Sequence, residues 1–364
     1  MTLLTNNILP FLVIICALVA IHEYGHYAAA RTFNIAVRRF SVGMGPVLLR
    51  KRDRRGTEWA LSALPIGGYV SMVEKPEDLT PELTGIAYTA TPRWARASVL
   101  LAGPVANLIV GFGLLFGHAL ISETDVTPPI VREVMAGSPA QAAGLLPGDR
   151  IVKLDEVKVD TFRDVSSQIQ VGLDTPVVVT VSRDGAEVSF RIVPEHRRAT
   201  LDNGRVLDYG QIGIAGPAPV VGRLGLNEAW SHALKTSVHM TVSTYHAISQ
   251  LLTGSRSPDS MTGMIGMAEV TGKIVAGPAD QDSSTAQIVL RLASFAALIS
   301  LNLALVNLLP VPVLDGGQIL VLAVEGTIRR PLPPQFKKSL MVAGVAIVAL
   351  LFLFTTVNDA RFMV

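Results

Sequence analysis

Residues 8–28 read ILPFLVIICALVAIHEYGHYA. The stretch is apolar as far as Ile21 and then places His22, Glu23 and His26 within little more than one helical turn. Continued to Ala30, it has the ~20 residues that a helix needs to cross a bilayer. Ionisable side chains at membrane depth are costly and mark function by default. This one stretch therefore predicts a membrane-embedded chain and indicates where its chemistry lies.

Composition agrees. The chain has 364 residues, 49% of them hydrophobic and 16% charged, where a soluble domain carries about 25% charged residues. Mean hydropathy is +0.43. A net charge of +2 is too small to argue for nucleic acid. Cys16 is the single cysteine, which excludes an intrachain disulfide. The opening MTLLTNN has no basic region, and HEYGH follows the apolar run in place of a small-residue cleavage site. The run is thus expected to be a retained span and not a signal peptide.

Four spans are expected, near 8–30, 97–122, 288–309 and 340–357. The basic residues of 31–96, and Arg329, Arg330, Lys337 and Lys338 after the third span, assign both of those loops to the cytoplasm. The N- and C-termini and the long segment after span two are then periplasmic, with HEYGH at the cytoplasmic end of span one. The division expected is 1–34 (first span), 35–96 (β-loop region), 97–122 (second span), 123–216 (outer domain), 217–285 (amphipathic helix and linker), 286–310 (third span), 311–339 (loop) and 340–364 (fourth span).

Residues 39–73 alternate around the basic turn Lys51–Gly56 and predict a β-hairpin or small sheet. Ser138-Pro139 and Thr161 are helix-start signals, and Asp184-Gly185 marks a hairpin, so 128–195 predicts a small β-rich domain with two short helices. His232, His239 and His246 recur every seven residues along an amphipathic stretch. That spacing separates neighbours by two turns, ~10 Å, and favours a polar stripe over a second metal site.

His22, Glu23 and His26 form H-E-x-x-H. At i and i+4, both imidazoles share one helix face and can bind one metal, with Glu23 beside them as general base for water. The ligand types suit zinc, and a catalytic zinc keeps about three protein ligands. Asp315 in NLLPVPVLDGGQ is the best-placed third ligand, although an Asp beside two glycines is also an ordinary turn residue.

HEYGH together with Asn307-x-x-Pro310-x-Pro312-x-Leu314-Asp315-Gly316 resembles the site-2 protease family of intramembrane zinc metalloproteases. GPVANL (Gly103, Pro104, Asn107), SVGMGP, PIGGYVSM and GSPAQAAGLLPGDRIVKLD extend the likeness to regulator-of-sigma-E type enzymes with one PDZ domain. The resemblance implies a polytopic α-helical membrane protein of four transmembrane helices, with a membrane-associated β-hairpin or sheet and an inserted periplasmic α+β PDZ domain. It implies Zn2+ on His22, His26 and Asp315, with Glu23 as catalytic base and Asn307 on the substrate. Gly103, Pro104, Asn107, Pro310 and Pro312 would support the site. Gly68, Tyr69 and Val70 are expected to form an edge that captures extended substrate. The substrate implied is a transmembrane protein, an anti-sigma factor pre-cut by a first protease or else a remnant signal peptide, in the bacterial inner membrane. A membrane metal-ion transporter and a non-catalytic PDZ scaffold are the competing readings.

Overall fold

The computed structural model describes residues 7–200, 206–254, 261–277 and 284–361. The terminal residues, whose periplasmic placement the charge pattern predicts, lie outside that set. In chain order the helices are α1 (Leu9–Thr32), α2 (Arg93–Ile121), α3 (Pro139–Ala143), α4 (Phe162–Val171), α5 (Leu226–Leu252), α6 (Met264–Ala276), α7 (Thr285–Asn307), α8 (Asp315–Thr327) and α9 (Pro334–Arg361). The strands are β1 (Val37–Arg52), β2 (Glu58–Met72), β3 (Thr124–Asp125), β4 (Glu133–Val134), β5 (Arg150–Leu154), β6 (Val157–Lys158), β7 (Val177–Arg183), β8 (Ala186–Ile192), β9 (Glu195–Thr200), β10 (Val206–Gln211), β11 (Ile214–Ala215) and β12 (Val221–Gly222).

Helices α1, α2, α7 and α9 are long and apolar enough to cross a membrane. They correspond to the four expected spans. Val342, Leu350 and Leu353 of α9 are more than half exposed, as side chains facing lipid are. Residues 1–118 and 263–357 form one compact unit, and 119–262 with the end of α9 form a second.

In the first unit, Phe11 and Leu18 of α1 pack against Ala268 of α6 and Phe295 and Ile299 of α7. A second cluster, Ala30, Ile35, Val37 and Val99, ties the end of α1 and the start of β1 to α2. Ser284 caps α7: its hydroxyl accepts from Gln287 N–H, and the Gln287 side chain accepts from Ser284 N–H. Such reciprocal capping fixes where a helix begins.

Strands β1 and β2 pair antiparallel with several register shifts. Arg39–Val42 lies between two parts of β2, with Arg39 opposite both Glu58 and Ser71 and Val42 opposite both Leu61 and Gly68. Residues 68–72 are consequently the outer strand on that side among the described residues. The alternation predicts strands here, and the bends that fold them into a wider sheet arise from the glycines and bulges.

The second unit has a sheet in the order β6-β5-β7-β8, with β9 and β10 as a separate hairpin. Val131, Leu145, Ile151, Leu154, Val165 and Ile169 belong to its core. Ser138 accepts from Gln141 N–H to cap α3, and Thr161 with Asp164 forms a capping box on α4. Asp184 and Gly185 turn the β7–β8 hairpin with positive φ. The sequence PIVREVM (129–135) predicts a strand; only Glu133–Val134 forms one, and Val131 bonds to the Gly148-Asp149 loop.

The stretch 253–285, whose Gly/Ser-rich sequence predicts loop with one short helical piece, contains the 13-residue α6. The expected 311–339 loop, by contrast, opens with the 13-residue α8, which is too short to span a bilayer, so hydropathy alone does not separate it from its neighbours.

Candidate metal centre and active site

His22 and His26 are both 6% exposed, and their rings stand edge to face with centroids 4.7 Å apart. Their Nε2 atoms are 3.1 Å apart. Asp315 Oδ2 lies 3.1 Å from His22 Nε2 and 3.4 Å from His26 Nε2. Among the described residues these three side chains form the group able to hold a metal ion.

Local sequence brings Asp315 there. Helix α7 ends at Asn307, and 308–314 turns tightly, with Val311 N–H bonding Leu309 O and Leu314 N–H bonding Val311 O at 2.8 Å each. Pro310 and Pro312 sit in this turn, where they prevent the helix from continuing. A Cβ on Gly316 would lie 2.1 Å from Leu308 O, and one on Gly317 would lie 2.1 Å from Val311 O. Only glycines let the first turn of α8 rest on the preceding turn and aim Asp315 at the histidines.

Helix α2 closes the other side. A Cβ on Gly103 would come within 2.4 Å of His26 Nε2 and 2.8 Å of His22 Cε1. The bare backbone is therefore what admits both rings. Pro104 follows inside the helix, and Asn107, fully buried, reaches His22 one turn further on, its Nδ2 3.3 Å from His22 Nδ1. His26 Nδ1 lies 2.8 Å from the Val99 carbonyl.

The residues fit zinc. Donors about 2.0–2.1 Å from a tetrahedral ion stand roughly 3.3 Å from each other, close to the 3.1, 3.1 and 3.4 Å found here. Asp315 Oδ2 is buried with no hydrogen-bond donor aligned on it. An orphaned buried carboxylate oxygen is costly, and a cation at the focus of the three atoms satisfies it.

Glu23 shares a cleft of about 460 Å³ with the triad, Val70, Asn307 and Tyr88. Its Oε2 accepts from Val70 N–H at 2.9 Å. Tyr24, which stands between the two motif halves, is 53% exposed and points away. Of the three expected edge residues, Val70 lines the cleft, while Tyr69 turns its hydroxyl to accept from Arg39 at 3.1 Å. A Cβ on Gly68 would lie 2.8 Å from Ser41 O and 3.7 Å from Glu23 Cγ. His232, His239 and His246 lie on α5 and join no metal-capable group among the described residues.

Tyr88 was not among the expected site residues. Its N–H donates to Val73 O at 2.7 Å, and the Arg96 guanidinium lies 5.9 Å from its ring. Burial pushes its phenol up to about 12, so the hydroxyl keeps its proton. No periodicity marks a lone Tyr in a turn. Glu74 and Gln318 also line the cleft and belong to no motif, and the Val99 carbonyl is a backbone acceptor with no side-chain signal.

The sequence matches the model of peptidase family M50 over residues 10–351. The chain belongs to peptidase family M50, the site-2 proteases. This M50 chain is 33% identical to a protein of Agrobacterium fabrum named putative zinc metalloprotease, over 98% of this chain and 96% of the other. It is 32% identical to a protein of Rhizobium meliloti with the same form of name, over the whole of both. It is also 32% identical to the metalloprotease MmpA of Caulobacter vibrioides, over 97% of this chain and 94% of that one.

Proposed function

We propose that this M50 chain is an intramembrane zinc endopeptidase that cuts single-span membrane proteins. The observation that carries the reading is the meeting, in one cleft, of three metal-competent atoms, the Glu23 carboxylate and the backbone of an outer strand. His22, His26 and Asp315 would hold the ion. When bound, zinc would supply Lewis acidity at the cleft. Glu23 takes the proton from the attacking water and delivers it to the departing amine. Asn307, at the end of α7 and lining the cleft, donates its amide to the substrate carbonyl.

A membrane helix keeps its amides internally bonded, so the scissile segment must unwind before it can be cut. Residues 68–70 capture it as an added strand. Val70 is central, because its amide already meets Glu23. Residues 123–216 act as a PDZ domain that admits substrates trimmed by an earlier cut. Anti-sigma factors fit that order of events, and remnant signal peptides are a second substrate type. The basic loops orient the cleft toward the cytoplasmic face of the inner membrane, with the termini on the periplasmic face.

Glu23→Gln tests the reading in reconstituted protein with a single-span peptide. The expected result is retained zinc and cleavage slowed by about 10²–10⁴-fold. Cleavage at the wild-type rate removes the proposal.

A further inference from the structure

Both candidate ligands face the metal position with Nε2, so in each ring the proton has to sit on Nδ1. A ring nitrogen keeps its proton where an acceptor receives it. For His26 the acceptor is the Val99 carbonyl, at 2.8 Å. For His22 the neighbour is the Asn107 amide, 3.3 Å from Nδ1. A side-chain amide presents either an acceptor oxygen or a donor nitrogen, and hydrogen bonding decides which end faces a partner.

With Nδ2 toward His22, Nδ1 must accept. The imidazole proton then moves to Nε2, between the ring and Asp315, and the metal position is blocked. With the amide turned over, Oδ1 accepts from His22 Nδ1–H and Nε2 offers its lone pair.

We infer that Asn107 is a positioning residue for the metal centre: its Oδ1 fixes the His22 tautomer and ring angle from outside the ligand set. The surroundings hold it to that task. Asn107 is fully buried, and its backbone carbonyl accepts from the Ser300 hydroxyl of α7 at 2.8 Å. Gly103 and Asn107 are one turn apart on α2. The first clears space for the two rings, and the second reaches the outer nitrogen of one of them. This gives the G-x-x-x-N spacing of residues 103–107 a physical purpose that the ligand motifs alone do not.

The inference rests on His22, His26 and Asp315 being the zinc site. Its test reads zinc affinity by chelator competition on the full-length protein in detergent, with thermal unfolding alongside. Asn107→Leu, which removes the acceptor, is expected to weaken zinc binding about 10–100-fold. Asn107→Asp, which can only accept, is expected to fold and to hold zinc within a few-fold of wild type. An unchanged affinity in N107L overturns the inference, and so does a loss in N107D as large as that in N107L. Wild-type protein that binds no zinc removes the underlying reading of the site instead.

Discussion

The described residues include two histidine–aspartate clusters, and these are built in opposite ways. In the first unit, two imidazole Nε2 atoms and one Asp315 oxygen converge on a single point. In the second unit, the nitrogens of His196 diverge: Nε2 is 2.9 Å from Asp208 and Nδ1 is 3.4 Å from Asp174. Arg198 donates to the same Asp208 oxygen at 2.9 Å. Both aspartates are buried, so burial does not distinguish them. What differs is the supply of donors. Asp208 already has a permanent cation and an imidazole aimed at it. Asp315 Oδ2 has no aligned donor and faces two nitrogens whose opposite sides are engaged by Val99 and Asn107. The first cluster is arranged for a cation to complete; the second contains its cation.

Removing ligands gives the largest expected contrast. His22→Ala, His26→Ala and Asp315→Asn should each abolish stoichiometric zinc, read by elemental analysis of purified protein, and cleavage with it. His196→Ala and Asp208→Asn should leave zinc content unchanged. Retention of full zinc in Asp315→Asn would break the comparison at its root.

The next effect concerns the outer strand. Val70→Pro deletes the N–H that Glu23 accepts from and disrupts strand addition at the cleft. Misplacement of a catalytic group by about 1 Å can cost ~10² in rate, so cleavage should fall by at least that factor while zinc stays bound. Wild-type cleavage by V70P would remove residues 68–70 from the substrate path.

Gly103→Ala should act more mildly. Its methyl group would meet both imidazoles, and overpacking of this kind costs about 1–3 kcal/mol. Part of that should appear as a lower unfolding temperature and part as weaker zinc binding. Because Gly103 touches only the first cluster, the second unit should unfold as in wild type.

The same contrast explains what the sequence reveals. His22 and His26 are legible because helical periodicity fixes their relation over four residues. The helices long enough to cross a membrane are legible because apolar length is a local property. The caps at Ser138 and Thr161, and the turn at Asp184-Gly185, are legible for the same reason. Asp315 stands almost 300 residues away, and its pairing with HEYGH came from motif order and expected depth, with a turn residue as the competing reading. The Val70–Glu23 bond is not legible, because register shifts in β1 and β2 decide which residue of β2 is outermost. Nor is the Val99 carbonyl, since a backbone acceptor carries no side-chain signal. The His196–Asp208–Arg198 network also escaped, being made by cross-strand pairing in a hairpin whose register the sequence leaves open.

The smallest expected effect is a matter of acid stability. Burial alone would raise the Asp208 carboxyl, but hydrogen bonds from His196 and Arg198 outweigh it and hold it below its ordinary value of 3.8. In the same way, the Arg183 guanidinium and Leu146 N–H outweigh burial at Asp149. A carboxylate depressed on folding contributes stability that is fully present above its unfolded value and is lost as pH falls through the folded one. The second unit should accordingly keep these contributions above about pH 4 and lose them progressively below it. Asp208→Asn removes the charge that His196 and Arg198 bind, and such charge-assisted bonds contribute about 1.5–3 kcal/mol. The variant should be less stable at neutral pH, and its deficit should narrow as the pH drops below 4, where the wild-type carboxyl takes up its proton. A deficit that stays constant down to pH 2, followed by thermal unfolding of the full-length protein, would mean that Asp208 stabilises the hairpin by packing. The two clusters would then differ in more than their supply of cations.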